Sequence, residues 1–408
     1  MNIALQRKLD RILGTFVCRL FSPFYRKRNI TPARTEVERI LVILLSEMGS
    51  LVLAYPMFAY LKGRFPNASM HVLLFKRNKE ILEILNVVPQ QNILTLDNTS
   101  MAKFTAESIC VLINLRKVRF DTVIDCELFS RISSIFSFLS GATVRVGFHP
   151  HTQEGLYRGD FINRPVLYNP YQHISHQFIT LVDAIDSPTM PKAKRLVTGD
   201  KLEIPAVEFA HDEIGEMRRR LYAYSPDIVD KKLVLIYPSG GLLPIRAWPL
   251  GYYCRLAAEL LREGHAVGVI GLEDDKKLAD AILAYCQNPS CVDLTGFTKS
   301  LHELLMLFHL ASLLITNDGG PGQFAAMTPV PTIVLFGPET PTLYGPLDQK
   351  AVIFYVPLTC SPCLTAYNHR NSPCDGDNVC LKSIHPDQVI GKALEILETH
   401  KGALSAFG

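Results

Sequence analysis

Between residues 38 and 205, short unbroken apolar runs alternate with stretches whose apolar positions recur at helical spacing. RILVILL (39–45), MHVLLF (70–75), NILTL (92–96), DTVIDC (121–126) and TVRVGF (143–148) predict buried strands. SLVLAYPMFAYLKGRF after a turn at Gly49, a stretch through Ile84, and residues near 102–118 and 130–139 predict the helices between them. Continuously apolar strands joined by helices imply a parallel sheet covered on both faces. After a linker near 195–207 the alternation restarts with a helix at 211–224, KLVLIYP (232–238) and a helix at 250–263. HAVGVIGL (265–272), a helix at 275–286, CVDLTG (291–296), a helix at 300–308 and LASLLIT (310–316) follow, then a helix at 321–327, PTIVLFG (331–337) and a last helix at about 386–399. The pattern predicts an α/β chain of two consecutive domains, 31–205 and 206–385. In such sheets ligands bind beyond the carboxyl ends of the strands.

Two stretches break the pattern. Residues 149–175, HPHTQEGLYRGDFINRPVLYNPYQHIS, are polar and aromatic with little periodicity, which reads as a functional loop. Residues 1–28 hold seven cations against one acid, Asp10. Within them Leu5, Leu9, Ile12, Leu13, Phe16, Leu20 and Phe24 fall on one side of a helix. The reading is a basic amphipathic helix over 1–30 that lies on a membrane surface, the alternative being a helix packed on the protein itself. Arg19 interrupts the apolar stretch, so it is a poor signal peptide.

Over all 408 residues the net charge is +3 with 48% hydrophobic residues, which gives no sign of a nucleic-acid partner. Four of the ten cysteines, Cys360, Cys363, Cys374 and Cys380, stand in C-x2-C-x10-C-x5-C spacing within a polar loop. That spacing suits a structural zinc site or two disulfides.

The richest stretch is TNDGGPGQFAAMTPVPTIVLFGPETPTLYGP (316–346). Asn317 and Asp318 offer a helix cap, and Gly319, Gly320 and Gly322 let the backbone approach a ligand. A helix start at this point aims N–H groups at an anion, a diphosphate being the natural guest. The first turn, SEMGSLVLAYP, has one glycine rather than G-x-G-x-x-G, which disfavours a nicotinamide-dependent dehydrogenase.

Four segments in order resemble family 9 glycosyltransferases, the heptosyltransferase-like enzymes of lipopolysaccharide core assembly. They are RILVILLSEMGSLVLAYPMFAYLKGRFPNA, FDTVIDCELFSRISSIFSFLSGATVRVGF, LVLIYPSGGLLPIRAWPLGYYCRLAAELLREGHAVGVIG, and the glycine-rich stretch with its cysteine loop and Ile384-His385-Pro386. The resemblance spans roughly 38–395. It implies a GT-B fold, two Rossmann-like domains facing a central cleft, with residues 386–408 packing back on the first. It also implies an inverting, metal-independent transfer from a nucleotide-diphosphate sugar, ADP-heptose among the candidates, to a lipid-linked or lipopolysaccharide-type acceptor. No cofactor is required for that catalysis. The expected location is peripheral, on the cytoplasmic face of the inner membrane.

By the same resemblance Asp318 binds donor-sugar hydroxyls and Gly319 and Gly320 meet the diphosphate. Arg246 stands where the family usually has lysine and would neutralise the leaving diphosphate. Ser239 and Gly240 form a second phosphate-facing turn, and Glu273 would hold ribose hydroxyls. His149, Arg158 and His173 would meet an anionic acceptor. Two positions depart from the family. Gln323 replaces a histidine. Ser50 replaces the aspartate expected as general base, and serine cannot be that base unaided. Glu47, in the same loop, and Glu127, after strand 121–126, are both candidate replacements. The alternative is a catalytically impaired nucleotide-sugar-binding homologue that acts as a subunit or regulator.

Overall fold

The computed structural model describes residues 3–24, 37–45, 47–128, 130–149, 157–189, 192–196, 202–368, 370–372 and 374–399. The chain divides into two compact units. The first is Met1–Glu203 with Ala366–Arg370, and the second is Ile204–Thr365 with Asn371–Gly408.

The first unit holds β1 (Arg39–Ile43), β2 (Ser69–Phe75), β3 (Ile93–Leu96), β4 (Thr122–Asp125), β5 (Val144–Phe148) and β6 (Arg164–Val166) in the order β3-β2-β1-β4-β5-β6. The second holds β7 (Leu233–Tyr237), β8 (Ala266–Gly271), β9 (Cys291–Thr295), β10 (Leu313–Asn317), β11 (Thr332–Phe336) and β12 (Val352–Tyr355) in the order β12-β11-β10-β7-β8-β9. Every neighbouring pair is parallel. Both sheets are doubly wound in the Rossmann order, with the direction of winding reversing between β1 and β4, and between β7 and β10. Those two reversals leave a crevice at the carboxyl ends of the strands, where ligands bind in this architecture.

Val111 and Leu115 of helix Met101–Val118 and Phe136 of helix Arg131–Leu139 bury against Leu41, Ile43, Leu73 and Val123 of the first sheet. Helices Met48–Arg64 and Ile174–Asp183 pack on each other. In the second unit Leu256, Ala257 and Leu260 of helix Leu250–Arg262 meet Val234, Val267 and Ile315.

The sequence reading missed β6 and β12, one edge strand in each sheet. β6 is three residues long and contains Pro165, so it shows no apolar run, whereas β12 lies in the apolar run AVIFYV (351–356) and is only partly buried. Helix Pro386–Thr399 buries Val389, Ala393 and Leu397 in the core of the second unit. Residues 366–370 return to the first unit, where Tyr367 stacks edge-on against Tyr168 at 5.6 Å.

Candidate functional site

In the second unit the crevice between β7 and β10 is built around Asn317, the last residue of β10. Its Oδ1 accepts the Trp248 backbone N–H at 2.9 Å and lies 3.1 Å from the Tyr253 hydroxyl. Its Nδ2 donates to the carbonyls of Tyr237 at 3.2 Å and Ser239 at 3.0 Å. Asn317 is therefore no helix cap, as its sequence position suggested. It ties the end of β10 to the turn after β7. In that turn Ser239 Oγ accepts from the Gly241 N–H at 3.1 Å. Gly241 sits at φ +58°, and a Cβ on Gly240 would lie 2.6 Å from the Leu243 carbonyl oxygen, so both positions require glycine. Asn317→Ala leaves the Trp248 N–H without its acceptor in a buried site. We expect a loss of about 2 kcal/mol, read by denaturant unfolding.

The Asn317–Trp248 bond also holds the segment that carries Arg246. The Arg246 guanidinium places Nη2 3.0 Å from Glu339 Oε1 and Nε 3.6 Å from Asp318 Oδ2. All three side chains are largely buried. Glu339 escaped the sequence reading. It sits in the turn GPET beyond β11, and an acid at the carboxyl end of a parallel strand was the available signal. A guanidinium flanked by two carboxylates is held in one orientation, which a lysine ammonium could not be.

The glycines divide. Gly319 is extended, and a Cβ there would meet nothing nearer than the Pro321 ring at 4.0 Å, so the backbone is open to an approaching group. Gly320 opens a helix of only six residues, Gly320–Ala325. Gln323 is buried, and its Nε2 donates to the Tyr344 carbonyl at 2.7 Å. That bond fixes the turn around Tyr344. Glu273 is exposed beyond β8, 3.6 Å from the Lys299 ammonium. Its neighbour Asp275 accepts the Leu272 N–H.

In the first unit the crevice between β1 and β4 gathers the acids singled out from sequence. Glu127 follows β4, is 5% exposed, and accepts the Leu45 N–H at 2.7 Å through Oε1. Its own N–H donates to Asp125 Oδ1 at 3.1 Å. Glu47 precedes helix Met48–Arg64, and its side chain is 39% exposed. It is ion-paired to Arg370, which the returning segment brings in. Ser50 lies in the first turn of that helix, its N–H bonded to the Glu47 carbonyl at 3.1 Å.

Arg158 corrects an expectation. It is 2% exposed rather than presented to an acceptor. Its guanidinium pairs with Asp125, donates to the Glu127 carbonyl, to the Ser130 carbonyl at 2.8 Å and to Ser133 Oγ at 2.8 Å. Burial raises the Asp125 pKa, while the Arg158 charge, the Glu127 N–H and the Ser133 hydroxyl pull it back. Arg158 therefore shapes the loop that carries Glu127. The pKa of His149 is lowered by burial, with Asp160 opposing the shift and Arg158 adding to it. It stands neutral at pH 7, a hydrogen-bonding group rather than a cation. His173 caps helix Ile174–Asp183, its Nδ1 accepting the Ser175 N–H at 3.3 Å. His151 lies outside the described residues.

The cysteine loop also departs from expectation. Cys360, Cys363, Cys374 and Cys380 are all free thiols, and among the described residues no three His, Cys, Asp or Glu side chains group as a metal site. Cys380 turns into the core of the second unit, Cys363 Sγ lies 3.0 Å from Ser372 Oγ, and Cys360 and Cys374 face solvent.

Comparison with known proteins agrees with this architecture. The model of glycosyltransferase family 9 (heptosyltransferase) matches residues 111–372. Lipopolysaccharide heptosyltransferase 2 of Salmonella typhimurium is 24% identical over 364 residues, 88% of this chain and 98% of that protein. The structure of the ADP-heptose lipopolysaccharide heptosyltransferase II of E. coli superposes with a TM-score of 0.68 at 20% identity, covering 88% of this chain and 99% of that one. A family 9 glycosyltransferase of Veillonella parvula gives 0.71 at 18%, covering 90% and 99%. The fold is GT-B-like.

Proposed function

The chain belongs to glycosyltransferase family 9, and on that premise we propose that it transfers heptose, or a related sugar, from a nucleotide-diphosphate donor such as ADP-heptose to a lipopolysaccharide-type acceptor. The reaction is lipopolysaccharide core synthesis, with inversion at the anomeric carbon. The observation that carries this reading is the Arg246–Asp318–Glu339 group beside the open backbone of Gly319, at the carboxyl ends of β10 and β11. Asp318 accepts hydrogen bonds from the donor sugar. The backbone around Gly319 and Gly320 and the turn at Ser239 and Gly240 receive the diphosphate, and Glu273 reaches the ribose. Arg246, rather than a metal ion, meets the charge that grows on the leaving diphosphate.

The acceptor hydroxyl loses its proton to Glu47. Of the two acids at the first unit's crevice, Glu47 keeps solvent access and Glu127 is buried with an oxygen on the Leu45 N–H. Ser50 supplies a hydrogen bond where the family aspartate would stand, and His149 and His173 border the acceptor. The reading as a binding-only homologue needs a first unit without a base, and Glu47 removes that need. No helix among the described residues is long and apolar enough to cross a membrane. The enzyme works peripherally, at the cytoplasmic face of the inner membrane.

Arg246→Ala tests the donor assignment. The account expects kcat to fall about 10²-fold, with ADP binding weakened in calorimetry. Unchanged turnover in a folded Arg246→Ala protein overturns it.

A further inference from the structure

The N-terminal helical segment is mounted through a mixed seam of polar, small and apolar residues, with Val17 and Phe21 packing inward beside Cys18. Gln6, Asp10, Gly14 and Cys18, each four residues apart, face the first unit. Gln6 and Asn98 exchange side-chain contacts, at 3.1 Å from Asn98 Nδ2 to Gln6 Oε1. Asp10 accepts the N–H groups of Arg131 at 3.1 Å and Ile132 at 2.9 Å, capping helix Arg131–Leu139. A Cβ on Gly14 would lie 2.8 Å from Arg131 Cβ, so glycine permits this close approach. Cys18 buries against Ile135 and Phe161. The apolar stripe is left outside: Leu5, Ile12, Leu13, Phe16 and Leu20 are 47% to 65% exposed. Lys8, Arg11 and Arg19 are exposed along it.

Helix Met101–Val118 adds a second patch. Asn98, bonded to Gln6, lies just ahead of it, and both it and the N-terminal segment adjoin helix Arg131–Leu139. It presents Ile109 and Ile113 to solvent beside Arg116, Lys117 and Arg119, around a hollow of about 690 Å³.

We propose that these two helices form a single docking face for an anionic phospholipid bilayer. An amphipathic helix normally buries its apolar side in the protein it belongs to. Here the polar contacts of Gln6 and Asp10, together with the packing of Val17, Cys18 and Phe21, leave the Leu5, Ile12, Leu13, Phe16 and Leu20 stripe outside. Apolar side chains at this exposure, fringed by lysine and arginine, match the acyl boundary and phosphate layer of an acidic leaflet. A second copy of the chain would bring the same cations against one another, which the bilayer does not. The inference deepens the peripheral membrane location in the proposed function and rests on that reading, and its test reads binding rather than turnover, so the two can fail separately.

The full chain is sedimented with vesicles of phosphatidylethanolamine and phosphatidylglycerol, and with phosphatidylcholine vesicles. We expect binding to the acidic vesicles that weakens from about 0.15 M to about 1 M salt. Leu13→Asp/Phe16→Asp should weaken it at least about tenfold, and Ile113→Asp by a smaller factor, with far-UV circular dichroism and thermal midpoint unchanged. Three results would overturn the proposal. Wild type could stay in the supernatant, the double variant could bind like wild type, or the double substitution could dissociate a dimer and leave vesicle binding intact.

Discussion

Glu47→Gln should lower kcat for sugar transfer by about 10²- to 10⁴-fold, the usual contribution of a positioned general base. The substitution keeps the side chain's shape and a hydrogen-bonding oxygen for Arg370, so the fold should survive. The ion pair it weakens is over a third exposed on the Glu47 side and contributes little to stability. In the proposed reading the second unit binds the donor, so donor binding should be unchanged. The acidic limb of the kcat/KM pH profile should disappear with the base. Glu127→Gln provides the contrast. Its Oε1 is engaged by the Leu45 N–H, which glutamine still satisfies, so the loss there should be several-fold at most. The reverse pattern, a collapse in Glu127→Gln and near-normal Glu47→Gln, would transfer the role to Glu127.

Arg158→Ala should cost about 3–5 kcal/mol of stability, the penalty of leaving a buried charge without its partner. Asp125 is wholly buried, and the carbonyls of Glu127 and Ser130 lose donors in the same step. For a unit of this size the thermal midpoint should fall by roughly 10 °C. The pH dependence has a definite sign. Burial raises the Asp125 pKa in the folded state, so the folded protein holds this proton more tightly than the unfolded chain. The stabilisation from that proton is fully present below the ordinary aspartate pKa and is lost as pH rises through the raised value. Without Arg158 the carboxyl is pushed further up, so the deficit of the variant is largest at neutral pH and shrinks on acidification. Arg158→Ala/Asp125→Asn removes the charge and should recover part of the loss. A variant as stable as wild type in scanning calorimetry would show that the pair contributes nothing net.

Much of the fold was legible because its strands are buried on both faces. RILVILL and LASLLIT are almost continuously apolar, broken only by Arg39, Ser312 and Thr316, and the helices between them carry period-3.6 stripes. The edge strand β6 lacks that signature because it is three residues long and holds Pro165, while β12 carries an apolar run, AVIFYV, that the reading passed over. The site was legible only in part. Asp318 was visible as a candidate cap after a strand and Arg246 through the family resemblance, and the structure brings them together. Arg158 looked like a surface cation in a polar loop. Its burial depends on Asp125, 33 residues earlier, and no local pattern records such a pairing. Asn317 likewise read as a cap, because its four partners come from the turn after β7 and the segment around Trp248. Arg370 stands 323 residues from Glu47, within a cysteine loop whose spacing suggested metal or disulfide chemistry. The cysteine spacing was read from sequence alone, yet Cys380 is an interior residue and the loop's reach to the first unit runs through Tyr367 and Arg370.

The central claim is that the chain transfers a heptosyl group from ADP-heptose to a lipopolysaccharide-type acceptor. The direct measurement is incubation of the purified full chain with ADP-heptose and a heptose-deficient lipopolysaccharide acceptor, following ADP release and acceptor mass together. The account predicts stoichiometric ADP release and an acceptor heavier by one heptosyl group, linked with inverted anomeric configuration. Both signals should be lost in Glu47→Gln. Tight ADP-heptose binding with no ADP release and no change in acceptor mass would contradict it.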